Sequence, residues 1–363
     1  MAKIALAALG VILVLIAGLA AYRGWRQHQA AESLSITGPA GVNEAGFIRL
    51  KGMDQWVSIR GEDRSNPVLV LLHGGPGSAF LPITYERLRP WEKDFTVVQW
   101  DQPGAGRTYG RNRRAGAGDL SLDRIAGDGA ELVEYVRKRL GKDKVILVGI
   151  SWGSLVGVEM ARRRPDLVHA YVGGGQVVDM QRNEAVGFDS LLQKLRDKGD
   201  AESEARLLAI GPPPYPDTKA LMTERKILMA NPPATERGLY RDLIATLLFA
   251  PDYGLNDIKD WVDAARSSTK AMLPALMSYS DDVAAPAIPV PVFFIQGEED
   301  IQTPTVLVKS YFDRLRAPSK QLILLPGGGH SAVIAMPDVF LRELRTQVRP
   351  IAAAAEASAA DMS

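Results

Sequence analysis

Short, nearly unbroken apolar runs recur along much of this chain. Residues 68–72, 95–100 and 145–148 are each largely apolar, as expected of strands buried on both faces. Residues 47–50 and 55–60 alternate more loosely and predict an opening hairpin. Between the runs the period lengthens. Ile125, Leu132, Val133, Val136 and Leu140 fall at helical spacing, with Ser121 placed to cap the start and Gly141 to end the helix. Strand-like runs return at 170–172, 291–296 and 321–325. Such alternation predicts an α/β fold, a mostly parallel sheet flanked by helices on both faces. In sheets of that kind, reactive groups gather where strands end.

Residues 176–285 interrupt the alternation. They are rich in helix formers and punctuated by Gly211-Pro212-Pro213-Pro214-Tyr215-Pro216 and Asn231-Pro232-Pro233, which reads as a helical lid joined by stiff turns. At the other end, residues 4–21 are almost wholly apolar, preceded by Lys3 and followed by Arg23 and Arg26. That is long enough to cross a bilayer as one helix. The reading is an uncleaved anchor with the folded domain outside the cytoplasm, and the competing reading is a cleaved signal. The expected organisation is an N-terminal membrane anchor or signal segment (1–26), a linker (27–45), a first part of the core (46–175), the lid (176–285), a second part of the core (286–350) and a flexible tail (351–363).

Composition narrows the candidates. A chain of 363 residues with an apolar fraction of 46% can bury a large core. Its net charge of +1 gives no electrostatic reason to bind nucleic acid. The local cluster of Arg111, Arg113 and Arg114 reads as a solvated loop. Cysteine is absent, which removes disulfides, thiol catalysis and cysteine-type zinc sites.

The chemistry is concentrated at run ends. Gly149-Ile150-Ser151-Trp152-Gly153 follows the run 145–148 and precedes a helix-compatible stretch, the form of a turn that lifts a serine above a sheet edge. A serine hydroxyl needs a neighbouring base, most often an imidazole oriented by a carboxylate. Of the four histidines, His28 adjoins the apolar segment, His73 opens a glycine loop and His169 precedes a strand-like run. His330 closes Pro326-Gly327-Gly328-Gly329-His330 after the run 321–325 and is the best base. Asp300, just after the run 291–296, fits the orienting carboxylate; Glu298 and Glu299 read as solvated charges. His73-Gly74-Gly75-Pro76-Gly77 follows another run, so the oxyanion hole is assigned to the backbone amides of Gly75 and Trp152.

These motifs, with Asp101-Gln102-Pro103-Gly104-Ala105-Gly106 between them, resemble the proline iminopeptidase branch of the α/β-hydrolases from about residue 46 to residue 348. The resemblance implies an α/β-hydrolase fold and hydrolysis after an N-terminal residue, without metal or cofactor. By motif, the serine, aspartate and histidine roles fall on Ser151, Asp300 and His330. Two departures bear on substrate. The family usually has arginine where this chain has Pro103, and the serine closing that motif is displaced by Thr108-Tyr109.

An aminopeptidase must meet the substrate's ammonium with a carboxylate, because an unpaired buried charge is costly. Glu184 is the first candidate, with Asp179, Glu202, Glu204 and Glu224 as alternatives. The resulting reading is a serine aminopeptidase acting on short peptides or amides. The alternatives are a carboxylesterase or other amide hydrolase, and, from a different class, a membrane-tethered binding protein without catalysis.

Overall fold

In the computed structural model, which describes residues 1–116, 118–215 and 217–360, the apolar runs form the middle of one eight-stranded sheet. The strands are β1 (Val42–Leu50), β2 (Met53–Gly61), β3 (Val68–Leu72), β4 (Thr96–Trp100), β5 (Val145–Ile150), β6 (Val168–Gly174), β7 (Val292–Gly297) and β8 (Lys320–Leu325), in the order β1-β2-β4-β3-β5-β6-β7-β8. The opening hairpin is antiparallel, as is the pairing of β2 with β4. All later pairings are parallel.

Successive side chains of a strand point to opposite faces, and β3 shows what that does here. Val70 and Leu72 join the apolar cluster that holds Leu132, Val133 and Val136, whereas Leu69 and Leu71 join the one that holds Trp91, Phe340 and Leu344. Both faces are therefore covered, and strands with no polar face read as continuous apolar runs.

The helices are α1 (Ala2–Ser33), α2 (Leu81–Leu88), α3 (Gly106–Gly116, broken at Arg113), α4 (Leu122–Leu140) and α5 (Trp152–Arg163). Five more, α6 (Met180–Lys198), α7 (Ala201–Ile210), α8 (Thr218–Ala230), α9 (Leu239–Phe249) and α10 (Leu255–Met277), lie between β6 and β7 as a helical insertion. The chain closes with α11 (Thr305–Arg314), α12 (Ala332–Ala335), α13 (Pro337–Glu343) and α14 (Arg349–Ala360). Helix α4 has the expected ends, with Ser121 Oγ accepting the Arg124 amide hydrogen at 3.3 Å and Gly141 in the left-handed conformation.

Two expected boundaries differ. Helix α1 does not stop near residue 26 but runs unbroken to Ser33, and β1 opens at Val42, so the irregular stretch between them is 34–41. The polar segment after the apolar run consists of good helix formers, and its residues gain tertiary partners: Gln27 Nε2 donates to the carbonyl oxygens of Ala250 and Tyr253. The tail is also ordered further than expected. Ala352 is fully buried and Lys142 pairs with Glu356 at 2.9 Å, which holds α14 against the core; residues 361–363 lie outside the described residues. So do Pro216 and the side chain of Arg114. The other arginines of that cluster are paired, Arg111 with Asp54 and Arg113 with Asp260.

Candidate active site

Strand β5 delivers Ser151 to the carboxyl edge of the sheet in a conformation that few residues adopt, with φ +53°. The flanking glycines explain how the turn closes. A Cβ on Gly149 would strike the Gly153 carbonyl, and one on Gly153 would strike the Leu72 carbonyl of β3. The turn is tight because helix α5 starts against the neighbouring strand. The result is a half-buried hydroxyl held above the sheet edge on a fixed backbone.

His330 arrives at the same edge from the loop after β8. Its Nε2 lies 3.0 Å from Ser151 Oγ, and its Nδ1 lies 3.0 Å from Asp300 Oδ2. Asp300, after β7, is 2% exposed and densely bonded. Oδ2 also accepts from Gln296 Nε2 at 2.9 Å and Thr303 Oγ1 at 2.7 Å; Oδ1 accepts the amide hydrogens of Gln302 and Thr303, both at 2.9 Å. That cradle fixes the carboxylate before it meets the imidazole. Glu298 and Glu299 are exposed.

Burial pulls the His330 pKa down, but the charge and hydrogen bond of Asp300 and the charge of Glu236 more than offset it, so the ring titrates above its ordinary 6.5. The other histidines do not converge here. His28 sits on exposed α1 beside Glu32. His169 is at the far end of β6, where burial pulls it down. His73 is buried and pulled down to about 4, chiefly by desolvation. It serves as scaffold: its Nε2 accepts the Gln102 amide hydrogen at 3.3 Å.

Gln102 ties three motifs together. Its Nε2 donates to the His73 carbonyl at 3.3 Å and its Oε1 accepts from Trp152 Nε1 at 3.0 Å. The glycine loop and the first residue of α5 are thereby held side by side. Gly75 and Trp152 border one cavity with Ser151, and Trp152, at the first position of its helix, carries an amide with no partner in its own helix.

Residues 69–343 match the alpha/beta hydrolase family, a span that takes in the sheet from β3 onward and the whole insertion. This chain belongs to the alpha/beta hydrolase family. A probable aminopeptidase of Bacillus subtilis strain 168 is 28% identical over 299 residues, covering 81% of this chain and 93% of that relative. Among solved structures, a proline iminopeptidase-related protein from Thermus thermophilus aligns with a TM-score of 0.58 at 21% identity, over 84% of this chain and 96% of its own. A membrane phospholipase A, described as a bacterial virulence factor, aligns with a TM-score of 0.56 at 15% identity, over 94% and 97%. At those identities the two structures share the fold.

In this alpha/beta hydrolase the cavity beside Ser151 has a volume of about 210 Å³ and a wall supplied largely by the insertion. Met180, Leu221, Met222, Leu273 and Met277 make it apolar, and Arg225 is the charged group on it. Arg225 is pinned between the buried carboxylates of Glu184 and Glu224. Among the described residues Glu184 Oε2 has no hydrogen-bond partner. Burial pushes Glu224 up, with Arg225 opposing. The remaining candidates are engaged elsewhere or exposed: Asp179 caps α6 through the Arg182 amide, Glu204 pairs with Arg196, and Glu202 faces solvent.

Two neighbours of Asp300 and His330 are not signalled by the sequence. Thr303 bonds Asp300 and lies 3.3 Å from His330 Nδ1, yet in sequence it reads only as part of a turn. Glu236, in the insertion, is 3% exposed and its Oε1 accepts the Ser331 amide hydrogen at 2.8 Å. The approach is close enough that a Cβ on Gly329 would lie 2.8 Å from that oxygen. Gln296 did leave a signal, as a polar residue inside a doubly buried run.

Proposed function

We propose that this alpha/beta hydrolase is a serine hydrolase in which Ser151 is the nucleophile, His330 the general base and then acid, and Asp300 the group that orients the imidazole. The hydrogen-bonded path from Asp300 through His330 to Ser151, with both contacts at 3.0 Å, carries the reading. His330 removes the serine proton as Oγ attacks the substrate carbonyl carbon. The Gly75 and Trp152 amides hold the oxyanion, each contributing a few kcal/mol, about 3, to the lowered barrier. The tetrahedral intermediate collapses to an acyl-enzyme as His330 gives its proton to the leaving group. Water then attacks the acyl-enzyme with the same imidazole as base.

For the substrate, the proposal is a short peptide or amide with a free N-terminus. The support is the Glu184–Arg225–Glu224 cluster, which holds two carboxylates against one guanidinium and leaves Glu184 Oε2 unpartnered. A substrate ammonium would restore balance there. The similarity to a probable aminopeptidase is consistent with it. A second reading, a carboxylesterase, is favoured by the methionine- and leucine-rich wall and by the fact that Arg225, not a carboxylate, borders the cavity.

One comparison separates them. Proline and other aminoacyl arylamides, their N-acetylated forms and simple aryl esters are assayed with the native protein and with Glu184→Gln. The aminopeptidase reading expects acetylation to abolish turnover and Glu184→Gln to raise KM for free amines alone. Good ester turnover, indifferent to acetylation and to that substitution, would overturn it in favour of the esterase. A fluorophosphonate that fails to label Ser151 in folded protein would sink both and leave a binding role.

Helix α1 is the one helix among the described residues long and apolar enough to cross a membrane. We propose that it anchors the protein with its N-terminus inside and the hydrolase domain outside the cytoplasm. Its apolar part makes no use of the protein core: Ile4, Leu9, Leu13 and Leu19 are all exposed.

A further inference from the structure

Helix α1 has two halves with different surroundings. The apolar half projects from the domain, whereas the half that follows is bonded to the insertion. Arg23 Nε donates to the Leu248 carbonyl at 2.9 Å and its Nη2 to that of Tyr253 at 2.5 Å. Tyr22 packs edge-on against Phe249, with ring centroids 5.7 Å apart, and the Arg26 guanidinium lies 4.7 Å above the same ring. Further along, Ala30 is buried with Tyr85, Ala250 and Tyr253. The helix is thus continuous from the apolar segment into a set of contacts that fix it to α9 and to the turn after α9.

The level of those contacts is informative. Tyr22, Arg23, Trp25 and Arg26 follow the apolar run directly, and aromatic and cationic residues at such a position lie at the headgroup level of a bilayer. Whatever is attached to them lies near that level too. Beside them α9 presents a face of Arg241, Ile244, Ala245 and Leu248, one helical stripe that is exposed throughout. Ile244 is 69% exposed and Leu248 41%; beyond the turn, Leu255 is 68% exposed and Trp25 on α1 is 55% exposed. Single exposed apolar side chains are ordinary, but this group is adjacent to a membrane-length helix and rigidly joined to it.

We infer that the exposed face of α9, with Ile244 and Leu248, docks onto the surface of the lipid bilayer that receives α1. The inference rests on reading α1 as an anchor. Its consequence is that the anchor is a bracket and not a tether: it sets the height and tilt of the insertion that walls the cavity beside Ser151.

The absence of cysteine from the chain makes the test direct. Full-length single-cysteine variants Val11→Cys, Ile244→Cys, Leu248→Cys and Ser319→Cys are labelled with a polarity-sensitive fluorophore. They are then reconstituted in phosphatidylcholine/phosphatidylglycerol vesicles that carry a nitroxide near the top of the acyl chain. Ser319 is exposed beside β8, the sheet edge opposite β1, and serves as the distant control. Retained ester or arylamide turnover shows that each variant is folded. Quenching of several-fold at 244 and 248, as at 11, with none at 319, is the expected result. Quenching at 11 alone, with 244 and 248 behaving like 319, would overturn the docking face while leaving the anchor. No quenching at 11 would remove the anchor and the docking face together.

Discussion

Glu236 of the helical insertion accepts a hydrogen bond from the amide of Ser331, the residue that follows His330, at 2.8 Å. The insertion is therefore joined to the His330 loop, and Glu236 also acts on His330 through its charge. Burial lowers the imidazole pKa, Asp300 and Glu236 raise it, and Arg225 opposes them, with a net rise above 6.5. The base form is populated only above that raised value, so kcat/KM should climb with pH through an acid limb lying above 6.5. Glu236→Gln keeps an acceptor for the Ser331 amide but loses the charge. Its acid limb is expected at lower pH with the plateau largely retained, measured as kcat/KM against pH. An unshifted limb would exclude the electrostatic role.

The same raised pKa has a consequence for folding. Charged His330 stabilises the native state fully below the unfolded value near 6.5, and that contribution is lost as pH rises through the native value.

Asp300→Asn should cost far more than a lost contact. With a neutral amide in the cradle of Gln296, Thr303 and two backbone amides, the imidazole is no longer held in the tautomer that accepts the serine proton. A loss of about 10⁴ in kcat is expected under the proposed mechanism, the scale seen when the orienting carboxylate of a Ser-His-Asp triad is replaced. Single-turnover acylation by an activated ester measures it; a loss below tenfold would exclude Asp300 from the orienting role.

Gly153→Ala tests the tightness of the turn. The new methyl meets the Leu72 carbonyl, backbone that cannot rotate away, so a destabilisation of about 1–3 kcal/mol or more is expected, as for other overpacked cores. Gly46→Ala on β1 has open space around it and should change stability by less than about 0.5 kcal/mol. Urea midpoints of the two proteins, compared side by side, decide it.

Arg225→Met would leave Glu184 and Glu224 facing each other in a buried site. Breaking a buried pair by removing one partner costs about 3–5 kcal/mol. The deficit should be larger at pH 8 than at pH 5, because burial raises the Glu224 pKa and protonation of that carboxyl relieves it, and adding Glu184→Gln and Glu224→Gln should recover much of it. Equal deficits at both pH values would mean that lost packing, not charge, is responsible.

Local patterns were legible wherever neighbours in sequence decide the structure. The ends of α4, the runs that became β3, β5 and β7, and the elbow around Ser151 depend on a few adjacent residues. Asp300 and His330 were legible because each follows such a run. Glu236 was not, since it reaches the His330 loop from the middle of the insertion, between α8 and α9, and follows prolines that read only as a connector. Nor was the end of α1: Gln27, His28 and Gln29 are compatible with helix or linker, and partners near residues 250 and 253 decide between them. For Glu184 the sequence could name a carboxylate but not foresee that Arg225 would stand beside it.

The positive-φ backbone of Ser151 is held where β3 and β5 lie in register with Gly153 against Leu72. A chain still being made, or threaded unfolded across a bilayer, carries this serine as an ordinary inert hydroxyl. Its partners Asp300 and His330 follow β7 and β8, near the carboxyl terminus, so under the proposed mechanism the serine gains its base only when that last part of the sheet is in place.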